Sequence, residues 1–80
     1  MSDAMNRART LLAQALEVGA DSLPDDASVS STEAWDSLAH IRVIAAIEGH
    51  LGSELDTMEL LEIEQLSDIA AILDRHSAAA

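Results

Sequence analysis

Apolar residues recur at helical spacing in three separate stretches of this chain. Ala8, Leu11, Leu12, Ala15 and Leu16 return at intervals of three and four, the mark of a helix with one apolar face. The spacing predicts a first helix over about 3–18, with Gly19 as the residue past its cap. A second helix begins at or near Ser37. Its apolar stripe is Leu38, Ile41, Ile44, Ala45, Ile47 and Leu51, and Gly49 and Gly52 mark where it weakens and stops. Asp56-Thr57-Met58-Glu59 has capping-box spacing and predicts a short third helix over about 57–61. Leu66, Ile69, Ala70 and Leu73 predict a last helix that frays into Ala78-Ala79-Ala80. No stretch alternates with a period of two, so no strand is expected.

Between the first two helices the periodicity breaks over 19–36, where Asp, Ser and Pro24 dominate. A connection of about eighteen residues is too long to be idle in a compact domain. Leu23, Val29 and Trp35 punctuate it and are expected to pin it to the core. The predicted architecture is all-α: a four-helix bundle of three longer helices and one short third helix, with a long loop between the first two. Eighty residues make one domain, 1–80, with a core of about 3–76.

Composition narrows the function. An apolar content of 49% sets the chain apart from a disordered acidic tail, so it should fold. Four arginines and no lysine stand against fifteen acids, a formal charge of −11, which excludes a phosphate-backbone binder. Trp35 is the sole aromatic residue, so no row of rings exists for bases to stack on, and no nucleic-acid partner is expected. The lack of cysteine excludes disulfides and thiolate metal sites and suits the cytoplasm. Residues 1–7 lack the basic start and apolar run of a signal peptide, and the longest apolar runs, 43–47 and 69–73, are five residues each. A cytoplasmic monomer without membrane insertion is the expectation.

No residue set here makes a self-sufficient enzyme. Ser37 has His40 three residues on, on the same helical face, yet an activated serine also needs an oriented base and oxyanion donors. No Gly-rich elbow surrounds Ser37. His40, His50 and His76 have no metal-ligand spacing and read as solvated helix-face residues, so no metal is expected. Locally, either Ser37 or Asp36 is a good N-cap for the second helix.

What singles Ser37 out among nine serines is the phrase Trp35-Asp36-Ser37-Leu38-Ala39-His40-Ile41. It resembles the Asp-Ser-Leu signature of acyl carrier proteins. The resemblance runs from about Leu11 to Leu73: a first helix ending in Leu16-Glu17-Val18, a polar loop with Asp25-Asp26-Ala27-Ser28-Val29, and apolar positions Leu38, Ile41, Ile44, Ile47 and Leu51, then Leu55, Leu61, Leu66, Ile69 and Leu73. It implies that Ser37 is covalently loaded with 4′-phosphopantetheine by a phosphopantetheinyl transferase. It also implies that Asp36 assists that enzyme through a divalent metal held there. Acyl- or aminoacyl-loading ligases and downstream synthases or transferases would be the other partners. Leu38 and Ile41 offer apolar contact to arm or partner but are core candidates first, and Trp35 reads as a core anchor under the loop.

Three departures bear on the subtype. Trp35 stands where many carriers of the primary fatty-acid pathway have Gly. Those carriers place acids just past the serine, whereas here Ala39, His40 and Arg42 occupy the first turn and a half and Glu48 is the sole acid on the helix. Glu64 takes a position where the family often uses Ser or Thr to open the last helix. A specialised stand-alone carrier fits these features better than the housekeeping one.

A charge of −11 would steer the domain toward basic partners, although a solvated acidic face is the commoner reason for surplus acids. Carboxylates at Glu54, Asp56, Glu59, Glu62 and Glu64 mass around the third helix. With Ile41 and Arg42 at the start of the second, they form the expected docking surface. The alternative function is an unmodified acidic helical interaction module. No Phe or Tyr plugs the interior, which leaves room for an acyl chain against Ile44, Ile47 and Ile63. Close packing of native interiors instead favours cargo held loosely at the surface.

Overall fold

The computed structural model describes residues 3–78 and contains four α-helices. Helix α1 (Asp3–Leu16) buries Ala8, Leu12, Ala13, Ala15 and Leu16 along one face. It ends two residues earlier than the spacing suggests. Glu17 takes a left-handed conformation at φ 60°, Val18 N–H reaches Ala13 O at 3.0 Å and Glu17 N–H reaches Gln14 O at 3.3 Å. These are the paired bonds of a Schellman motif, so Glu17 does the work expected of Gly19. Gly19 instead sits at φ −74°, ahead of a short 3-10 turn, Ala20–Ser22.

The long loop is pinned, though not by every residue expected. Leu23 and Trp35 are buried; Val29 is 39% exposed, and the fully buried Ala27 takes its place. Arg9 on α1 pairs with Asp25. Leu66 N–H donates to Ala27 O and Val29 N–H to Glu64 O, both at 2.8 Å. This two-bond antiparallel bridge, centred on Ser28 and Gln65, ties the loop to the chain ahead of the last helix. Among the described residues no longer strand forms.

Helix α2 (Ser37–Leu51) ends at Gly52, whose φ of 74° suits the one residue without a Cβ. Its buried row is Ala39, Val43 and Ile47, four apart, while Ile44 and Leu51 are half-buried. Leu38 and Ile41, expected in the stripe, are 60% and 64% exposed, and Ala45 is exposed as well. At 3.6 residues per turn these three lie roughly 140–160° around the helix from Val43. Half of the expected stripe, Ile44, Ile47 and Leu51, thus faces the core, and Leu38, Ile41 and Ala45 face solvent while Ala39 and Val43 take their place.

Helix α3 (Thr57–Glu62) opens with the expected capping box between Asp56 and Glu59. Helix α4 (Leu66–Ala78) buries Leu66, Ile69, Ile72 and Leu73, with Ala70 only half-buried. Gln65, not Glu64, immediately precedes it; Asp68 Oδ2 accepts the backbone N–H of both, at 3.1 and 3.0 Å. Helix is still present at Ala78, and the fraying expected of Ala79 and Ala80 lies outside the described residues. The main packing is α1 on α4 and α1 on α2, with α3 outside that trio. Among the described residues no buried side-chain polar atom lacks a partner, and no helix is long and apolar enough to cross a membrane.

Candidate functional site

The site is built on the first turn of α2. Asp36 is extended, and its Oδ1 accepts the Ala39 N–H at 2.8 Å, so Asp36 and not Ser37 is the N-cap. Ser37 is then the first helical residue. It is exposed, and its hydroxyl makes no hydrogen bond to another described residue. The free N–H groups and the positive dipole end of the helix surround it, a setting that favours an attached anion. Leu38 follows, also exposed. Trp35 turns the opposite way, 1% exposed, as the core anchor expected of it.

Trp35 also engages His40. The indole Nε1–H donates to His40 Nδ1 at 3.0 Å, and the two rings stack at 6.0 Å between centroids, 27° from parallel. His40 is therefore not a freely solvated side chain. Its one acceptor nitrogen is occupied by Trp35, so none is left to take a proton from Ser37, and the pair lacks the makings of an activated nucleophile. His50 remains exposed. His76 is half-buried and bonded to Glu59.

A groove of about 980 Å³ opens beside Ser37, between the loop, the start of α2 and α3. Trp35, Leu60 and Ile63 line it with apolar surface, and Val29 and Leu61 add exposed apolar side chains. Ser28, Ser30 and Gln65 contribute polar groups, while Asp36, His40 and Glu64 are its titratable residues. Of the three residues expected around an interior acyl chain, Ile63 borders this groove. Ile44 does not, and Ile47 is wholly packed into the core. The groove lies at the start of α2, beside Ser37, rather than against Ile44 and Ile47.

The structure divides the expected docking residues. Ile41 and the exposed Arg42 lie on α2 near Ser37, with Arg42 3.5 Å from Glu17. Glu54 is exposed. Asp56 caps α3, and Glu62 bonds Arg75 at 3.0 Å, a contact that raises the guanidinium pKa above its ordinary value. Glu59 differs from its expected place on an exposed acidic face: it is 7% exposed, with Oε1 accepting Asp56 N–H and Oε2 bonded to His76, so it ties α3 to α4.

Sequence reasoning missed the Trp35–His40 bond and the groove's far wall of Ser28, Ser30, Leu60 and Leu61. A five-residue separation that crosses a helix cap has no periodic signature. One signal was available: Met58, Leu60 and Leu61 are too many apolar residues for one face of a six-residue helix. Some had to point outward, as Met58 at 68% and Leu61 at 70% exposed do.

A family model described as "Phosphopantetheine attachment site" matches residues 6–73 of the chain. No curated protein matches the chain.

Proposed function

Since the chain belongs to the phosphopantetheine attachment site family, we propose that Ser37 bears the arm and that the protein presents acyl or aminoacyl thioesters to biosynthetic enzymes. Members of this family carry 4′-phosphopantetheine covalently. Carrier domains of this kind are typically non-catalytic and work with a phosphopantetheinyl transferase and biosynthetic enzymes. One observation carries the assignment to Ser37: its hydroxyl stands exposed and unbonded on the first residue of α2, beside the groove.

The surroundings fit the group. A phosphodiester suits a helix start, where backbone N–H groups are unpaired. An arm of alternating amides and methylenes suits a groove of mixed lining, with Ser28, Ser30 and Gln65 for the former and Leu60 and Ile63 for the latter. When attached, the arm supplies a terminal thiol that holds cargo as a thioester. The chain's own residues give it a rigid base: Asp36 locks the first turn and Trp35 anchors the approach.

Asp36, exposed beside Ser37, is the residue offered to the transferase and its divalent metal. Leu38, Ile41 and Arg42 form the docking face, supported by the exposure of two large apolar side chains next to Ser37. Loading ligases and downstream synthases or transferases would all meet this one face in turn. A tethered cargo reaches each active site at high effective concentration.

Incubation with a promiscuous phosphopantetheinyl transferase and coenzyme A, followed by intact-mass measurement and peptide fragmentation, tests the proposal. One added arm on the peptide containing Ser37 is expected. An unmodified chain, or an arm on another serine, contradicts it.

A further inference from the structure

Trp35 decides which nitrogen of His40 carries the proton. An indole N–H only donates, so the Nδ1 it reaches at 3.0 Å is the unprotonated nitrogen and the neutral ring holds its proton on Nε2. Nε2 bonds no other described residue. No buried side-chain polar atom among them lacks a partner, so this N–H is open to the surroundings. His40 is half-buried and lines the same groove as Ser37. Their three-residue spacing on a helix sets the two Cβ atoms about 5–6 Å apart.

Satisfying the buried indole requires an acceptor and nothing more; a glutamine or asparagine oxygen would serve. Histidine differs in presenting a donor on the far side of a ring whose tautomer is locked and whose plane is held by stacking on Trp35. The other titratable groups lining the groove, Asp36 and Glu64, are carboxylates that carry no donor when ionised. We propose that His40 is a positioning residue: its Nε2–H donates to a phosphodiester oxygen of the arm on Ser37 and directs the arm into the groove. A hydrogen bond to a charged acceptor is stronger than a neutral one, which suits it to hold a flexible tether at its base. This inference rests on the assignment of Ser37 as the attachment site.

The test is nuclear magnetic resonance on protein before and after loading, with loading verified by intact mass. Before loading, the imidazole signals of His40 should report the Nε2–H tautomer. On loading, the Nε2 signal should shift while Nδ1 stays in place, and arm protons should show cross-relaxation to Leu60 and Leu61. In loaded His40→Phe, which keeps a ring over Trp35, the phosphorus resonance should move and the contacts to Leu60 and Leu61 should be lost. His40→Gln, which retains an N–H donor, should recover part of both. Trp35→Phe keeps His40 but frees its tautomer, and should reduce the Nε2–H population and shift the phosphorus signal; this second variant serves if His40→Phe does not fold. A protonated Nδ1 in the unloaded wild type overturns the proposal. So does a loaded His40→Phe whose phosphorus and arm signals match the wild type. A wild-type chain that never gains the arm overturns this inference together with the assignment of Ser37, whereas a loaded chain with an unmoved imidazole overturns this inference alone.

Discussion

Glu59 on α3 and His76 on α4 meet at 2.9 Å, and the same carboxylate completes the capping box of α3 through the Asp56 N–H at 3.4 Å. Arg75 lies 3.9 Å from it. α3 stands outside the packed trio of α1, α2 and α4, and this side-chain tie to α4 adds to the apolar contact that its Leu60 makes with the core. α3 also forms one wall of the groove beside Ser37. The tie therefore sets the shape of the site.

Glu59→Ala should lower unfolding stability by about 1–3 kcal/mol, the range for removing one partner of a buried hydrogen bond. Glu59→Lys should cost more, since it sets a buried cation beside His76 and Arg75. Glu54→Lys, at an exposed position, should change stability by no more than about 0.5 kcal/mol. Urea titration of the three variants checks the ordering, and equal losses at Glu59 and Glu54 would show that the tie contributes nothing.

Helices α1 and α2 end in the same left-handed geometry, at Glu17 with φ 60° and at Gly52 with φ 74°. A side chain in that region costs roughly 1–2 kcal/mol, and the exposed Glu17–Arg42 pair at 3.5 Å repays little of it. Glu17→Gly should therefore stabilise the fold by about 1 kcal/mol. The reciprocal change, Gly52→Ala, should destabilise it by a similar amount. Thermal melts should move in opposite directions; a fall in both would place the cost elsewhere.

Leu38 and Ile41 are exposed, so their replacement by Ala should leave stability within about 0.5 kcal/mol of the wild type. The same changes should weaken docking to the transferase by about 1–2 kcal/mol, roughly a five- to thirty-fold rise in Kd, as apolar anchors at an interface do. Binding measured with an inactive transferase decides this. Unchanged affinity would remove both residues from the docking face.

Charge should act on the approach rather than the grip. A formal charge of −11 steers the chain toward basic surfaces, and salt screens exposed charges over roughly 8–10 Å near physiological strength. Stopped-flow association should slow as salt rises, while the dissociation rate changes much less. An association rate indifferent to salt would leave recognition to Leu38 and Ile41 alone.

Much of this was legible along the chain. The start of α2 at Ser37, its end at Gly52 and the capping box of α3 all follow from local chemistry, which a sequence displays directly. The family-like phrase around Ser37 pointed to the candidate site, and the structure sets a groove beside it. Which side of α2 faces the core was only partly legible: Ile44, Ile47 and Leu51 were placed in its stripe, but an Ala39–Val43–Ile47 row and a Leu38–Ile41–Ala45 row have comparable apolar spacing, and packing against α1 and α4 chooses between them. The burial of Glu59 was hidden for a related reason. Its partner His76 lies seventeen residues away on another helix, and an isolated acid reads as solvated until the two helices are placed together. The stop of α1 at Glu17 rather than Gly19 ran against propensity, with the bonds to Ala13 and Gln14 offsetting the strain.

If Ser37 alone bears the arm, as proposed, the intact mass of Ser37→Ala after exposure to the transferase and coenzyme A decides it. Asp36 supplies the cap and the Ser37 hydroxyl bonds no other described residue, so the variant should unfold within about 0.5 kcal/mol of the wild type. It should gain no mass, while the wild type gains one phosphopantetheine. An arm on the folded alanine variant would contradict the account.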